Sequence, residues 1–227
     1  MKLGCVVVVG SLVFASAADA GVTYTDVERN IEVLFGPAAP SVSLGRYGTG
    51  VWDESVMGSY ADDLGAGSGV ATQTSDVSGR LVTMSGHVSA FGTSDGYANS
   101  SSTLSVFITL EEATGFRASA ALFDLFQGNP TLSFKASLYE DAGHGADLWS
   151  MSSVTEFIPD AGSFAFGDES GVLGPGTYLL DVRISVDGFK DVTTSGAFSF
   201  ELSVPSPGGV GVAGVGSLAL AGRRRRA

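Results

Sequence analysis

Cysteine is all but missing from this chain: of 227 residues only Cys5 carries a thiol, so no internal disulfide framework and no cysteine metal set can form. Histidine is nearly as scarce, His87 and His144 being the only two, too few for a His/Cys zinc site of four ligands. Cations are thin between the two ends. Lys2 and the four terminal arginines sit in end segments with Asp19, which leaves 7 basic against 23 acidic residues, a net charge of about −16. Such a field repels phosphate backbones and anionic lipid, which excludes nucleic acid and an acidic membrane surface as partners.

What is present at the ends is directional. Lys2, an apolar core over 3–14 and the small residues Ala18-Asp19-Ala20 read as a secretory signal peptide, residues 1–20, cut after Ala20 by signal peptidase, with Ala15-Ser16-Ala17 as a nearby alternative. No hydrophobic segment precedes Cys5, so it reads as an apolar residue of that signal and not as a lipidation site. The other end runs Val204, Pro205, Ser206, Pro207, then 15 residues from Gly208 to Gly222 with six glycines, then Arg223, Arg224, Arg225, Arg226 and Ala227. Four adjacent cations stay on the cytoplasmic side of a membrane. The apolar part is shorter than the roughly 20 residues of a stable span, and each interior glycine weakens a helix by about 1 kcal/mol relative to alanine.

This order of parts, a proline tetrad, a short hydrophobic segment and a terminal arginine cluster, resembles the PEP-CTERM sorting signal recognised by exosortase-type transpeptidases. Ser206 stands where that signature has Glu. The resemblance implies a tail, residues 205–227, that enters the membrane as a transient sorting helix, and a body delivered to the cell surface or released. An ordinary single-pass C-terminal anchor is the alternative, and both readings place residues 21–204 outside the cytoplasm.

About 184 residues between the signals suit one domain with its own core. Segments rich in β-branched and aromatic residues recur between Gly, Ser, Asp and Asn clusters, which predicts an all-β, antiparallel two-sheet, jelly-roll-like sandwich. Period-two alternation predicts strands over 102–111, 116–125, 132–139, 177–186 and 197–204, the first two joined by a hairpin turn over 111–115. Residues 21–33 and 79–91 read as weaker strands, with Ser85-Gly86-His87 a bulge or bend; a short helix over 27–35 capped by Asp26 is the alternative. The Gly/Ser/Ala/Asp-rich stretch 55–78 reads as a long loop or irregular edge.

Chemistry-bearing motifs are few. Gly92-Thr93-Ser94-Asp95-Gly96 matches a nucleophile elbow and His144 lies downstream, but the elbow needs a helix after the serine and an acid before the histidine, whereas 97–102 is Asn/Ser-rich. Glu140, Asp141, His144 and Asp147 cluster without EF-hand spacing, so calcium is a weak expectation beside no cofactor at all. The pairs Asp53-Glu54, Asp62-Asp63, Glu111-Glu112 and Asp168-Glu169 would serve a glycosidase only if two carboxyls faced each other about 5–10 Å apart. Trp52, Trp149 and the tyrosines are candidate sugar-stacking rings or core residues. The reading is an exported non-catalytic protein, structural or ligand-binding in a polysaccharide or matrix layer; its rival is an exported glycan-active hydrolase.

Overall fold

The structure, a computed structural model, describes residues 21–36, 41–63, 65–127, 132–140, 147–155 and 164–205. Residues 1–20, read above as a signal peptide, residues 128–131, Asp141, His144, and the stretch from Ser206 through Pro207 to Arg223, Arg224, Arg225 and Arg226 lie outside the described residues. The described chain is all β: β1 (Val22–Phe35), β2 (Val42–Tyr47), β3 (Gly50–Asp62), β4 (Gly65–Ser78), β5 (Leu81–Gly92), β6 (Ala98–Leu110), β7 (Thr114–Gln127), β8 (Leu132–Glu140), β9 (Asp147–Thr155), β10 (Phe164–Leu173), β11 (Gly176–Gly188) and β12 (Val192–Ser203).

Two antiparallel six-stranded sheets result. One runs β2-β1-β6-β11-β8-β9 and the other β10-β7-β12-β5-β4-β3. Within them β5 pairs with β12, β6 with β11, β7 with β10 and β8 with β9, the nested order made by folding one long hairpin over on itself. That is jelly-roll wrapping, and β1 to β4 widen both sheets on one side.

Alternation places the core as the sequence suggests. Leu104, Val106, Ile108 and Leu110 of β6, Tyr178, Leu180, Val182, Ile184 and Val186 of β11, and Phe198, Phe200 and Leu202 of β12 are buried between the sheets. Phe134 and Phe198 meet across the gap with centroids 6.4 Å apart. Burying one such side chain is worth about 1.5–3 kcal/mol.

The predicted hairpin over 111–115 is not one. β6 and β7 belong to different sheets, and Glu111 donates its N–H to Gly21 O at 3.1 Å, so the connection crosses the sandwich. Period two gives the facing of each strand but not its partner, and this is why the pairing could not be read locally. The helix alternative over 27–35 is also overturned. Asp26 sits at φ 47° at a bulge between Thr25 and Glu28 in the β1–β6 ladder, and the extra residue switches the inward set from Val22 and Tyr24 to Val27, Arg29, Ile31, Val33 and Phe35.

The stretch 55–78, read as a long loop or irregular edge, belongs to the regular hairpin of β3 and β4, paired from Gly50↔Val77 to Asp62↔Gly65 with β3 at the sheet edge. Its inner face carries Gly67, Gly69, Ala71, Gln73, Ser75 and Val77, too small and polar to register as hydrophobic alternation. Those small residues let the sheets close: a Cβ on Gly69 would lie 2.4 Å from Ser100 Oγ. At Ser85-Gly86-His87 the β5–β12 register runs unbroken, while the β4–β5 ladder lapses between Ala71↔Val88 and Thr74↔Ser85. Thr72 Oγ1 instead accepts from His87 N at 2.8 Å.

Candidate functional site

The ends of the sandwich differ in what they carry. Val22 pairs with Leu110 and Ser203 with Leu81; Val204, itself fully buried, donates its N–H to Arg80 O at 2.9 Å. Leu81 begins β5 and Leu110 ends β6, so both ends of the described body, Gly21 and Pro205, leave from the side opposite the β5–β6 loop. Strands of 12 or 13 residues put that loop about 40 Å away at roughly 3.3 Å per residue.

That far end is built on close backbone contact. Gly92 and Gly96, the glycines of the Gly-x-Ser-x-Gly match, are there for packing: a Cβ on Gly92 would lie 2.3 Å from Gly188 O, and one on Gly96 2.2 Å from Ala66 O. Thr93 holds the same junction, its N–H donating to Ala66 O at 2.9 Å and its Oγ1 accepting from Ala66 N at 3.0 Å. The β11–β12 turn is clamped on it by Lys190 N→Thr93 O (3.1 Å) and Asp191 N→Gly92 O (2.8 Å). Lys190 and Asp191 have φ of 59° and 62°, the two left-handed positions of a tight turn, where non-glycine residues are strained and persist only under such restraint.

Ser94 is exposed in a strand–loop–strand setting, and no helix occurs among the described residues. The elbow geometry that would activate its hydroxyl is therefore missing. His87 lies half-buried on β5.

On this rigid base stands a polar and aromatic corner of the β1–β6–β11 face. Tyr97, 40% exposed, donates its hydroxyl to Asp187 Oδ1 at 2.7 Å. Asn99 Nδ2 donates to the same Oδ1 at 2.8 Å and to Val186 O at 3.1 Å. Partial burial, then the hydrogen bond and the charge of Asp187, push the Tyr97 phenol well above its ordinary pKa, so it keeps its proton and acts as the donor. Tyr60 OH accepts from Tyr97 N at 3.0 Å, and the Tyr60 ring rests on Phe35 at 5.2 Å. Leu34, 37% exposed, pairs with Asn99. Lys190 Nζ lies 5.2 Å from the Phe189 ring centroid.

The other candidates are dispersed. Asp53-Glu54 on β3 and Asp168-Glu169 on β10 occupy opposite edges of one sheet, roughly 24 Å apart at about 4.8 Å per strand. Asp62-Asp63 lies at the far end and Glu111-Glu112 where the body's ends leave. No two pairs stand at glycosidase spacing. Asp168 is held by Arg117 through two bonds, 3.0 and 2.8 Å, on exposed surface, and that guanidinium lowers its pKa. Among the described residues no three of His, Cys, Asp and Glu converge as a metal site; Glu140 ends β8 and Asp147 begins β9, with Asp141 and His144 outside them.

Trp52 and Trp149 are core, not platforms: they are 3% and 8% exposed, and Trp149 stacks between Phe116 at 6.3 Å and Phe200 at 6.5 Å. Among the tyrosines, all of them stacking candidates from the sequence, Tyr47 is 73% and Tyr97 40% exposed, and of the two it is Tyr97 that stands beside the clamped far end. Its only local sign was its place beside Gly96 and Asn99 in a polar loop; Asp187, its partner, lies 90 residues away.

A second buried polar group was equally hidden. Arg29, fully enclosed between the sheets, donates to Gly48 O, to Gly50 O at 2.6 Å and to Ser75 Oγ at 2.8 Å. Ser75 Oγ also accepts from Gln73 Nε2 at 3.2 Å, and Gln73 Oε1 from Ser102 at 2.9 Å. Burial, then the nearby charge of Arg46, lowers the guanidinium pKa to about 10, with Asp76 opposing. The group remains charged at neutral pH and ties the β2–β3 crossing to both sheets.

No family model and no curated protein matches this chain. Among solved structures it is similar to the enzymatically active domain of tailspike protein 4 of bacteriophage CBA120, at 13% identity and a TM-score of 0.30, over 66% of this chain and 19% of that one. The chain thus spans about a fifth of that neighbour's length, and a likeness of this degree carries no argument about function.

Proposed function

We propose that this chain is an exported, non-catalytic surface protein, sorted by a PEP-CTERM-like tail and serving a structural or ligand-binding role in a polysaccharide or matrix layer. The observation that supports this reading is the shared exit of Gly21 and Pro205 from one end of the sandwich, with the glycine-clamped end about 40 Å away. A body attached through its C-terminal tail then holds that far end outward. Signal peptidase and an exosortase-type enzyme are the partners during export, and the membrane is met only through the tail.

The fold also limits where such an enzyme can cut. Val204 is fully buried and hydrogen-bonded to Arg80 O, so the reachable part of the Val204, Pro205, Ser206, Pro207 tetrad begins at Pro205. Intact-mass measurement of the cell-associated protein should give an N-terminus at Gly21, and a C-terminus beyond Val204 without Arg223, Arg224, Arg225 or Arg226. Retention of those arginines would sink the sorting assignment in favour of a permanent anchor. Incubation with a glycan panel should release no new reducing ends; their release would establish the hydrolase reading instead.

A further inference from the structure

We propose that the corner formed by Tyr97, Leu34, Asn99 and Asp187 is a binding site for an uncharged polysaccharide, a site that deepens the outward-display reading and rests on it. Three features carry this. The Tyr97 ring is exposed, yet its hydroxyl is fixed by Asp187 and its backbone N–H by Tyr60, so stacking a sugar's C–H face on it costs little further ordering. Both protein bonds to the Asp187 carboxylate land on Oδ1, which leaves Oδ2 to accept from ligand hydroxyls. Leu34 adds apolar surface beside Asn99.

The neighbouring surface selects among glycans. The next pair along β11 and β8 is Ser185 and Ser133, whose hydroxyls bond each other at 2.9 Å, a neutral step beside the corner; the exposed cations Arg183 and Lys135 pair only one step farther on. Around the corner stand Asp95, Asp191 and Asp187 against Lys190, on a body of net charge near −16. At the corner itself, where Asp95, Asp187 and Asp191 outnumber Lys190, an anionic glycan is repelled, whereas a neutral one meets an aromatic face, a carboxylate and hydroxyls without an electrostatic penalty.

The test is affinity electrophoresis and calorimetry of the purified full-length chain with xyloglucan, galactomannan and dextran as neutral probes and alginate as the anionic one. At least one neutral polymer should bind and alginate should not. Tyr97→Ala and Asp187→Asn should each weaken binding about tenfold or more, with the unfolding temperature of Asp187→Asn close to that of the parent, so that loss of binding is separable from loss of fold. Absence of binding to every neutral probe, preference for alginate, or neutral binding that survives both substitutions would overturn the site. Since the measurement is made in solution, its failure beside correctly processed protein on cells removes this site alone, while retained terminal arginines remove the sorting assignment alone.

Discussion

Replacing Arg29 with alanine should cost the fold about 3 kcal/mol, seen as a fall of about 1.5 M in the urea midpoint for an m-value near 2 kcal/mol/M. The change removes a fully buried side chain and strips donors from Gly48 O, Gly50 O and Ser75 Oγ together. Each acceptor left unpaired in a buried setting costs about 1–3 kcal/mol, though the two carbonyls are only part-buried and can regain water, which holds the sum below a simple addition.

Arg29→Met separates the causes. It keeps the stem volume and removes a desolvated charge, so it should recover about half of the loss. A loss under about 0.5 kcal/mol in the alanine variant would mean that the β2–β3 crossing does not depend on this guanidinium. The pH dependence has a definite sign: a cation whose folded pKa is lowered to about 10 weighs against the fold at every pH below that value. This penalty fades as pH rises through about 10 towards the group's ordinary pKa.

Gly188→Ala should be comparably damaging and should reach the candidate site as well. Its Cβ would lie 2.4 Å from Ala90 C and Phe91 N, backbone atoms of a paired strand that cannot rotate away. Overpacking of this kind costs about 3 kcal/mol, or about 10 °C in Tm for a domain of this size. Relief by shifting the β11–β12 turn would break its clamp on Thr93 O and Gly92 O and move Asp187 from Tyr97. Gly174→Ala serves as the control: the nearest atom to its Cβ would be Tyr178 OH at 4.0 Å and its φ is ordinary, so its Tm should stay within about 2 °C of the parent. Equal Tm values for the two variants would show that the far end yields more easily than its contacts imply.

Legibility in the sequence followed side-chain size. β6 from Leu104, β8, β11 and β12 from Phe198 carry mostly large apolar residues at every second position, and those inward faces match the alternation. β3 and β4 pack just as closely but with Gly, Ala, Gln and Ser inside, so the same period left no hydrophobic trace. Two further strands, β9 and β10, each at a sheet edge, were not resolved as strands from composition; one inward face of an edge strand is only partly covered, and Asp168 and Glu169 are both exposed there. The glycines of the Gly-x-Ser-x-Gly match answer to Gly188 O and Ala66 O, contacts that no local pattern announces.

The sequence by itself determined the class of the body, all β with large alternating core residues, its acidity, and its lack of cysteine, since each depends on residue type and near-neighbour spacing. Only the tertiary structure decided which strands pair, that residues 111–113 cross between sheets, that Trp52 and Trp149 are buried while Tyr97 is not, and that Arg29 is enclosed. Those outcomes depend on contacts between residues tens of positions apart, and a single bulge at Asp26 is enough to reverse which face of β1 meets the core.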